Sequence, residues 1–274
     1  MKQASTVAWR GDPRLRFWAR AFALGSLIHL TLPDFAQPGW GPPAALEMVG
    51  AVLLLWRPFP LAFALCALGT AWPLLLLRDV LTQSALLTLF AAVGAVASAR
   101  GRASVALDAA RVLTGLTYLL AALHKLNTDF FDPAVSCAPH AWEQIAARWG
   151  LPAVGGWAGA LAPSVVILEI AVALAVLRRS AWMWPLGLAF HLPLTVTLAP
   201  AFGAVMLTGY AAATSARQLA RWRRAARRGW PLMLLGAVLV GGLDATLAGA
   251  PEPVTVVKVA AAGALAAAAC LAWG

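Results

Sequence analysis

The chain has 274 residues, 61% of them hydrophobic and only 12% charged, and its mean hydropathy is +0.77. An ordinary globular chain carries roughly 25% charged residues, so this composition excludes a soluble enzyme or a disordered regulator and points to a surface that meets lipid. The net charge of +10 does not call for a nucleic-acid partner, because the basic residues gather at the ends of apolar runs, where they fix topology and touch anionic headgroups.

Those apolar runs are about 15 to 20 residues long, the length that crosses roughly 30 Å of hydrocarbon at about 1.5 Å per residue. They are continuous rather than alternating, so helices rather than a barrel satisfy the backbone. The sequence predicts an all-α, polytopic bundle forming a single transmembrane domain over 1–274. Its ten spans are placed at 17–33, 44–56, 58–77, 80–99, 105–124, 161–177, 181–199, 201–216, 230–248 and 254–273. The 44–56 run is short enough to be re-entrant, and Pro193 and Pro200 are placed to kink or merge the seventh and eighth spans.

Orientation follows from the positive-inside bias. With the N-terminus cytoplasmic, sixteen of the twenty-one Lys and Arg residues fall inside, among them Arg14, Arg16, Arg57, Arg100, Arg102, Arg178, Arg179 and the cluster from Arg217 to Arg228. An even span count with both termini inside is expected, in a multi-pass inner-membrane protein. The Arg cluster ahead of the first apolar run resembles a signal peptide, but no convincing cleavage site follows, so a retained first helix is expected. Cys66, Cys137 and Cys270 form neither a disulfide framework nor a CxxC pair. Tryptophans such as Trp18, Trp56, Trp142, Trp157 and Trp182 fall near predicted span ends and read as interface anchors.

One long polar stretch, 124–160, lies outside the cytoplasm in this topology and is where a site is expected. Asn127, Asp129 and Asp132 before Pro133 are turn and cap chemistry, and His140 and Trp142 sit in a short interfacial helix. His124, Asp129, Asp132, Cys137 and His140 mix metal-ligand types, but their spacing matches no compact metal motif and no metal is predicted.

Ionisable residues inside spans are expensive and therefore functional candidates. They are Glu47, Asp108, Arg111, Glu169, His191, Asp244 and Lys258. Asp108 and Arg111 stand at i,i+3 and can pair, and Asp244 and Lys258 can neutralise each other. Glu169, about two turns into its span, and His191, in the middle of the next, must face the bundle interior or water.

A span ending Tyr118-Leu-Leu-Ala-Ala-Leu-His-Lys-Leu-Asn127 is followed by Asp129-Phe-Phe-Asp132, by a span with Glu169 and then Arg178-Arg179, by His191, and by Phe202-Gly-Ala-Val-Met-Leu-Thr-Gly-Tyr210. Over 105–215 this order resembles the HTTM family, the membrane region of vitamin K-dependent gamma-carboxylase and its bacterial relatives. The resemblance implies a quinol- and oxygen-dependent enzyme, a lyase or oxidoreductase, that uses a reduced naphthoquinone on the non-cytoplasmic face. It places the lysine base at Lys125, with Glu169 and His191 as further catalytic candidates and His124, Asn127 and Tyr118 as cofactor-binding candidates. Desolvation at an apolar helix end disfavours an ammonium, and an amine base must be neutral.

The sequence departs from the carboxylase in ending on its last predicted span, without the large extracytoplasmic domain that recognises a protein substrate, so protein carboxylation is not expected. A non-catalytic membrane protein, either a small-solute carrier or an assembly partner, accounts for the intramembrane charges as well as an enzyme does.

Overall fold

The structure, a computed structural model, describes residues 12–30, 41–76, 82–197 and 200–224. The predicted spans at 230–248 and 254–273, with Asp244 and Lys258, lie outside the described residues. Within them the chain is all-helical. Helix α1 covers Pro13–His29, α2 Gly41–Trp56, α3 Pro60–Leu76, α4 Thr82–Ala99 and α5 Ala103–His124. The short α6 covers Thr128–Phe131, α7 Cys137–Trp149, α8 Ala158–Leu177, α9 Met183–Thr197 and α10 Pro200–Ala213, and a 3-10 turn at Gly155–Trp157 leads into α8.

Local chemistry sets these bounds. Asp12 caps α1 by accepting from the Arg14 backbone N–H at 2.8 Å, and Pro13 takes the first helical position, where a missing N–H costs nothing. Burial pushes the Asp12 carboxyl up, but the hydrogen bonds and charge of Arg14 outweigh it and hold the group below its ordinary value. Pro200 is the first residue of α10 and Pro193 sits inside α9, while residues 198–199, where the predicted seventh and eighth spans meet, lie outside the described residues. At the end of α4, Gly101 adopts φ 66° and the Arg102 N–H turns back to the Ala97 carbonyl at 2.8 Å, a left-handed stop that suits glycine.

Among the described residues, two stretches are long and apolar enough to cross a bilayer, Ala103–His124 and Gly155–Leu177. Four shorter apolar helices accompany them, Gly41–Trp56, Pro60–Trp72, Gln83–Ala99 and Phe202–Ala213.

The chain divides into two compact units. The first comprises Met1–Leu113 with Ala201–Trp222, the second Thr114–Pro200 with Arg223–Gly274, and α5 runs through the division. In the first unit α1, α2, α3 and α4 pack in sequence, and α1 also packs against α4. The buried stripe of α1 is Leu15, Trp18, Ala19, Phe22, Ala23, Ser26 and His29, a helical repeat facing one side. Trp18 is fully buried and stacks on Phe63 at 5.4 Å, so it is core rather than an interface anchor. Trp56 and Trp182 remain exposed, as anchors require.

Helices α2 and α3 meet backbone to backbone. A Cβ on Gly50 would lie 2.7 Å from the Ala62 carbonyl oxygen, and one on Gly69 2.6 Å from that of Pro43. Helix α10 joins this unit through Thr208, whose hydroxyl donates to the Ala21 carbonyl at 3.2 Å. In the second unit α8 packs against α6, α7 and α9. Ala122, Phe130, Ala162 and Val166 form its small apolar core.

Candidate functional site

The polar stretch after α5 folds by its own caps. Asn127 accepts from the Phe130 N–H through Oδ1 at 2.8 Å and donates to the His124 carbonyl through Nδ2 at 2.8 Å. It therefore pins the end of α5 to the start of α6 and sets the Phe130 ring into the core, 5.9 Å from Lys125 Nζ. Ser136 caps α7, which ends at Gly150 in the left-handed region with φ 62°. His140 and Trp142 lie on α7, the short helix the sequence anticipates.

Helix α5 carries Tyr118, Ala122 and the following Lys125 at i, i+4 and i+7, one face of a helix. Helix α8 runs antiparallel to α5, with the Leu177 side chain seated against Gly115. The arrangement delivers Lys125 to Glu169, with Nζ donating to Oε1 at 2.9 Å. Glu169 is nearly sealed, its side chain 6% exposed, while Lys125 keeps 24% of its side chain accessible. Lys125 also donates to the Ala121 carbonyl at 3.4 Å. Glu169 Oε2 is buried without a hydrogen-bond partner. The pair is thus reachable from the lysine end and holds one acceptor in reserve.

Tyr118 and His191 make a second couple. The phenol and His191 Nε2 are hydrogen-bonded, with the hydroxyl donating when the imidazole carries its proton on Nδ1, and both side chains are buried. Seven residues separate Tyr118 from Lys125, so the two couples lie about 10 Å apart along α5.

The site residues expected from sequence are therefore brought together as two pairs, Lys125 with Glu169 and Tyr118 with His191. His124 is exposed at the end of α5. Asn127 lines a wide, shallow depression together with Leu126, Thr128, Phe131 and Asp132. Among the described residues no three His, Cys, Asp or Glu side chains converge as a metal site. Asp108 and Arg111 pair within α5 at 3.4 Å. Glu47 has a partner that sequence reasoning passes over, His29, bonded to it at 3.1 Å. The signal was present in the α1 stripe, which ends on His29 facing inward.

The fold and these pairs define an all-helical, strongly apolar protein with a partly buried amine–carboxylate couple at a helix end. No family model, curated protein or solved structure matches the chain.

Asn127→Ala is expected to cost about 1 kcal/mol, the usual loss for a side-chain cap, and to loosen Phe130. Asn127→Asp keeps the cap but loses the donor to His124, so it should recover only part of that loss. Thermal melting in detergent of the two variants against wild type reads this directly, and equal melting of all three would remove Asn127 as the pin.

Proposed function

We propose that the chain is a multi-pass inner-membrane protein of the HTTM type, with about ten spans and both termini cytoplasmic, that performs quinol- and oxygen-dependent chemistry at Lys125 on its non-cytoplasmic face. The composition, the charge asymmetry and the apolar helices support the membrane reading. The observation that carries the chemistry is the Lys125–Glu169 hydrogen bond, because a base made from lysine needs a neighbour that can take its proton.

In a site poor in water, an ammonium and a carboxylate are each costly, and moving one proton from Nζ to Oε1 leaves both neutral without changing the net charge. The amine so formed is a base held at the accessible end of the couple. The donor set fits a reduced naphthoquinone. Lys125 provides the base, and the spare Glu169 Oε2 can accept a hydroxyl. When bound, the quinol would supply electrons to dioxygen and an acidic phenol. The residues of the chain then have defined tasks. Lys125 takes a proton at Nζ, Glu169 holds at Oε1 the proton whose transfer left the amine neutral, and the Tyr118–His191 couple holds a second hydroxyl and ring nitrogen on the same helix face.

The test is oxygen uptake by the purified, reconstituted protein supplied with a reduced naphthoquinone. Quinol-dependent uptake should fall at least about a hundredfold in Lys125→Met, the scale of a lost acid–base group. Uptake no greater than that of empty vesicles would favour the non-catalytic reading, a carrier or assembly partner, and would leave Lys125 as an interfacial anchor.

A further inference from the structure

The first unit contains a polar array that the Lys125 site does not use. His29 closes α1, Glu47 lies in the second turn of α2, and Ser84 lies in the first turn of α4. His29 Nδ1 is 3.1 and 3.3 Å from the two Glu47 carboxylate oxygens, and Nε2 is 2.8 Å from Ser84 Oγ. All three residues are 0% exposed. A network of smaller groups surrounds them. Thr88 Oγ1 lies 2.8 Å from the Ser84 carbonyl oxygen and 2.9 Å from the Thr70 hydroxyl, its single proton serving one of them at a time, Thr70 donates to the Cys66 carbonyl at 2.9 Å, and the Cys66 thiol reaches the Glu47 carbonyl at 3.7 Å.

A carboxylate and an imidazole sealed among apolar helices are costly to bury. Ionisable groups of this kind in membrane helices are characteristic of proton pathways. The imidazole here is bonded on both ring nitrogens to groups on opposite sides, the arrangement in which one nitrogen can gain a proton as the other gives one up.

We propose that Ser84, His29 and Glu47 form a proton-binding relay in the first unit, independent of the quinol reading of the second. A proton drawn from water reaches His29 Nε2 through the Ser84 hydroxyl, which gives up its own proton and is refilled. The proton on Nδ1 passes to the Glu47 carboxylate. The site gains one proton, nothing is oxidised or reduced, and discharge is the reverse. The other titratable groups on the elements packed around it, among the described residues, are few. They are Cys66 on α3, Tyr210 on α10, and Arg14, Arg16 and Arg20 on α1, of which Arg20 is bonded to the Leu55 carbonyl about 13 Å along the helix from His29.

The experiment uses the full chain in lipid nanodiscs with 15N-labelled histidine. The chain has four histidines, and the His29 resonances are assigned by their loss in His29→Gln. On titration with buffer the His29 proton should shift from Nδ1 to Nε2, a change of tautomer that the two ring 15N resonances report, and an infrared band of a protonated carboxyl should appear and disappear with it. Glu47→Gln, nearly isosteric, should remove both the band and the change of His29 tautomer. Ser84→Ala should slow exchange of the ring N–H with deuterated water by about tenfold or more, the minimum expected for a missing proton-transfer group. A His29 fixed in one tautomer throughout the range in which the protein is folded would overturn the relay. So would an unchanged tautomer switch in Glu47→Gln, or an unchanged exchange rate in folded Ser84→Ala.

Discussion

Lys125→Met is expected to destabilise the second unit by about 2 to 3 kcal/mol, and Lys125→Met/Glu169→Gln to recover most of that loss. Removing one member of a buried ion pair costs about 3 to 5 kcal/mol because its partner is left charged and dry. Lys125 is the accessible member, with 24% of its side chain exposed, so the figure is reduced. Glu169, at 6%, bears the penalty, and its Oε2 already has no partner. A stranded carboxylate limits the damage by taking up a proton, which is a second reason to expect less than the full value. Glutamine removes the charge altogether, so the double variant contains neither half of the couple. Thermal melting should show a drop of about 5 to 10 °C for the single variant and a much smaller one for the double.

This cycle also bears on the proposed chemistry. A double variant that melts like wild type but takes up no oxygen separates a missing base from a damaged fold. Equal melting of Lys125→Met and wild type would mean that the hydrogen bond contributes little to holding α5 on α8, and a proton shared within the couple would lose its physical basis.

Much of the helical layout can be read from local chemistry, because caps and prolines are sequence signals. Pro13 after Asp12, Pro200, Asn127 and Ser136 all mark helix starts that the structure contains. The cost of burying Glu169 and His191 was also legible residue by residue. Their partners were not. Lys125 and Glu169 are 44 residues apart and Tyr118 and His191 are 73 apart, so both contacts exist only through the packing of α5 with its neighbours.

Trp18 and His29 escaped for a different reason. Trp18 lies at the start of a predicted span, where a tryptophan reads as an anchor, and His29, inside the same span, carries no motif that singles it out. Only the period of the whole α1 stripe, Leu15 to Trp18 to Phe22 to Ser26 to His29, places them on the inward face. Ser84 carries no sequence signal of its own, and its role depends on His29 arriving opposite.

Gly69→Ala is expected to destabilise the first unit by about 1 to 3 kcal/mol, although alanine is the better helix former. Intrinsic propensity alone would favour the change by about 1 kcal/mol. Against this, the new methyl would sit 2.6 Å from the Pro43 carbonyl oxygen and 2.7 Å from both the Cβ and the backbone N of Glu47. Those are mostly backbone atoms of α2, which no rotamer change can move, so α2 and α3 must separate and lose contact along their length. Gly50 poses the same problem one helix over, with the Ala62 carbonyl oxygen and Cys66 Sγ both at 2.7 Å. Because one separation relieves both clashes, Gly50→Ala/Gly69→Ala should cost less than the sum of the single changes.

Gly115→Ala provides the contrast. Its methyl meets only the Leu177 side chain, with Cγ at 2.5 Å, and a leucine side chain can turn aside, so the net change should be within about 1 kcal/mol of zero. Melting of Gly69→Ala at or above the wild-type temperature would show that α2 and α3 are not in backbone contact. Such contact has a consequence beyond stability. The backbone that Gly69 touches is that of Glu47, so a shift of α2 draws the Glu47 carboxylate away from His29, and the methyl that separates the helices should also weaken the switch of His29 tautomer.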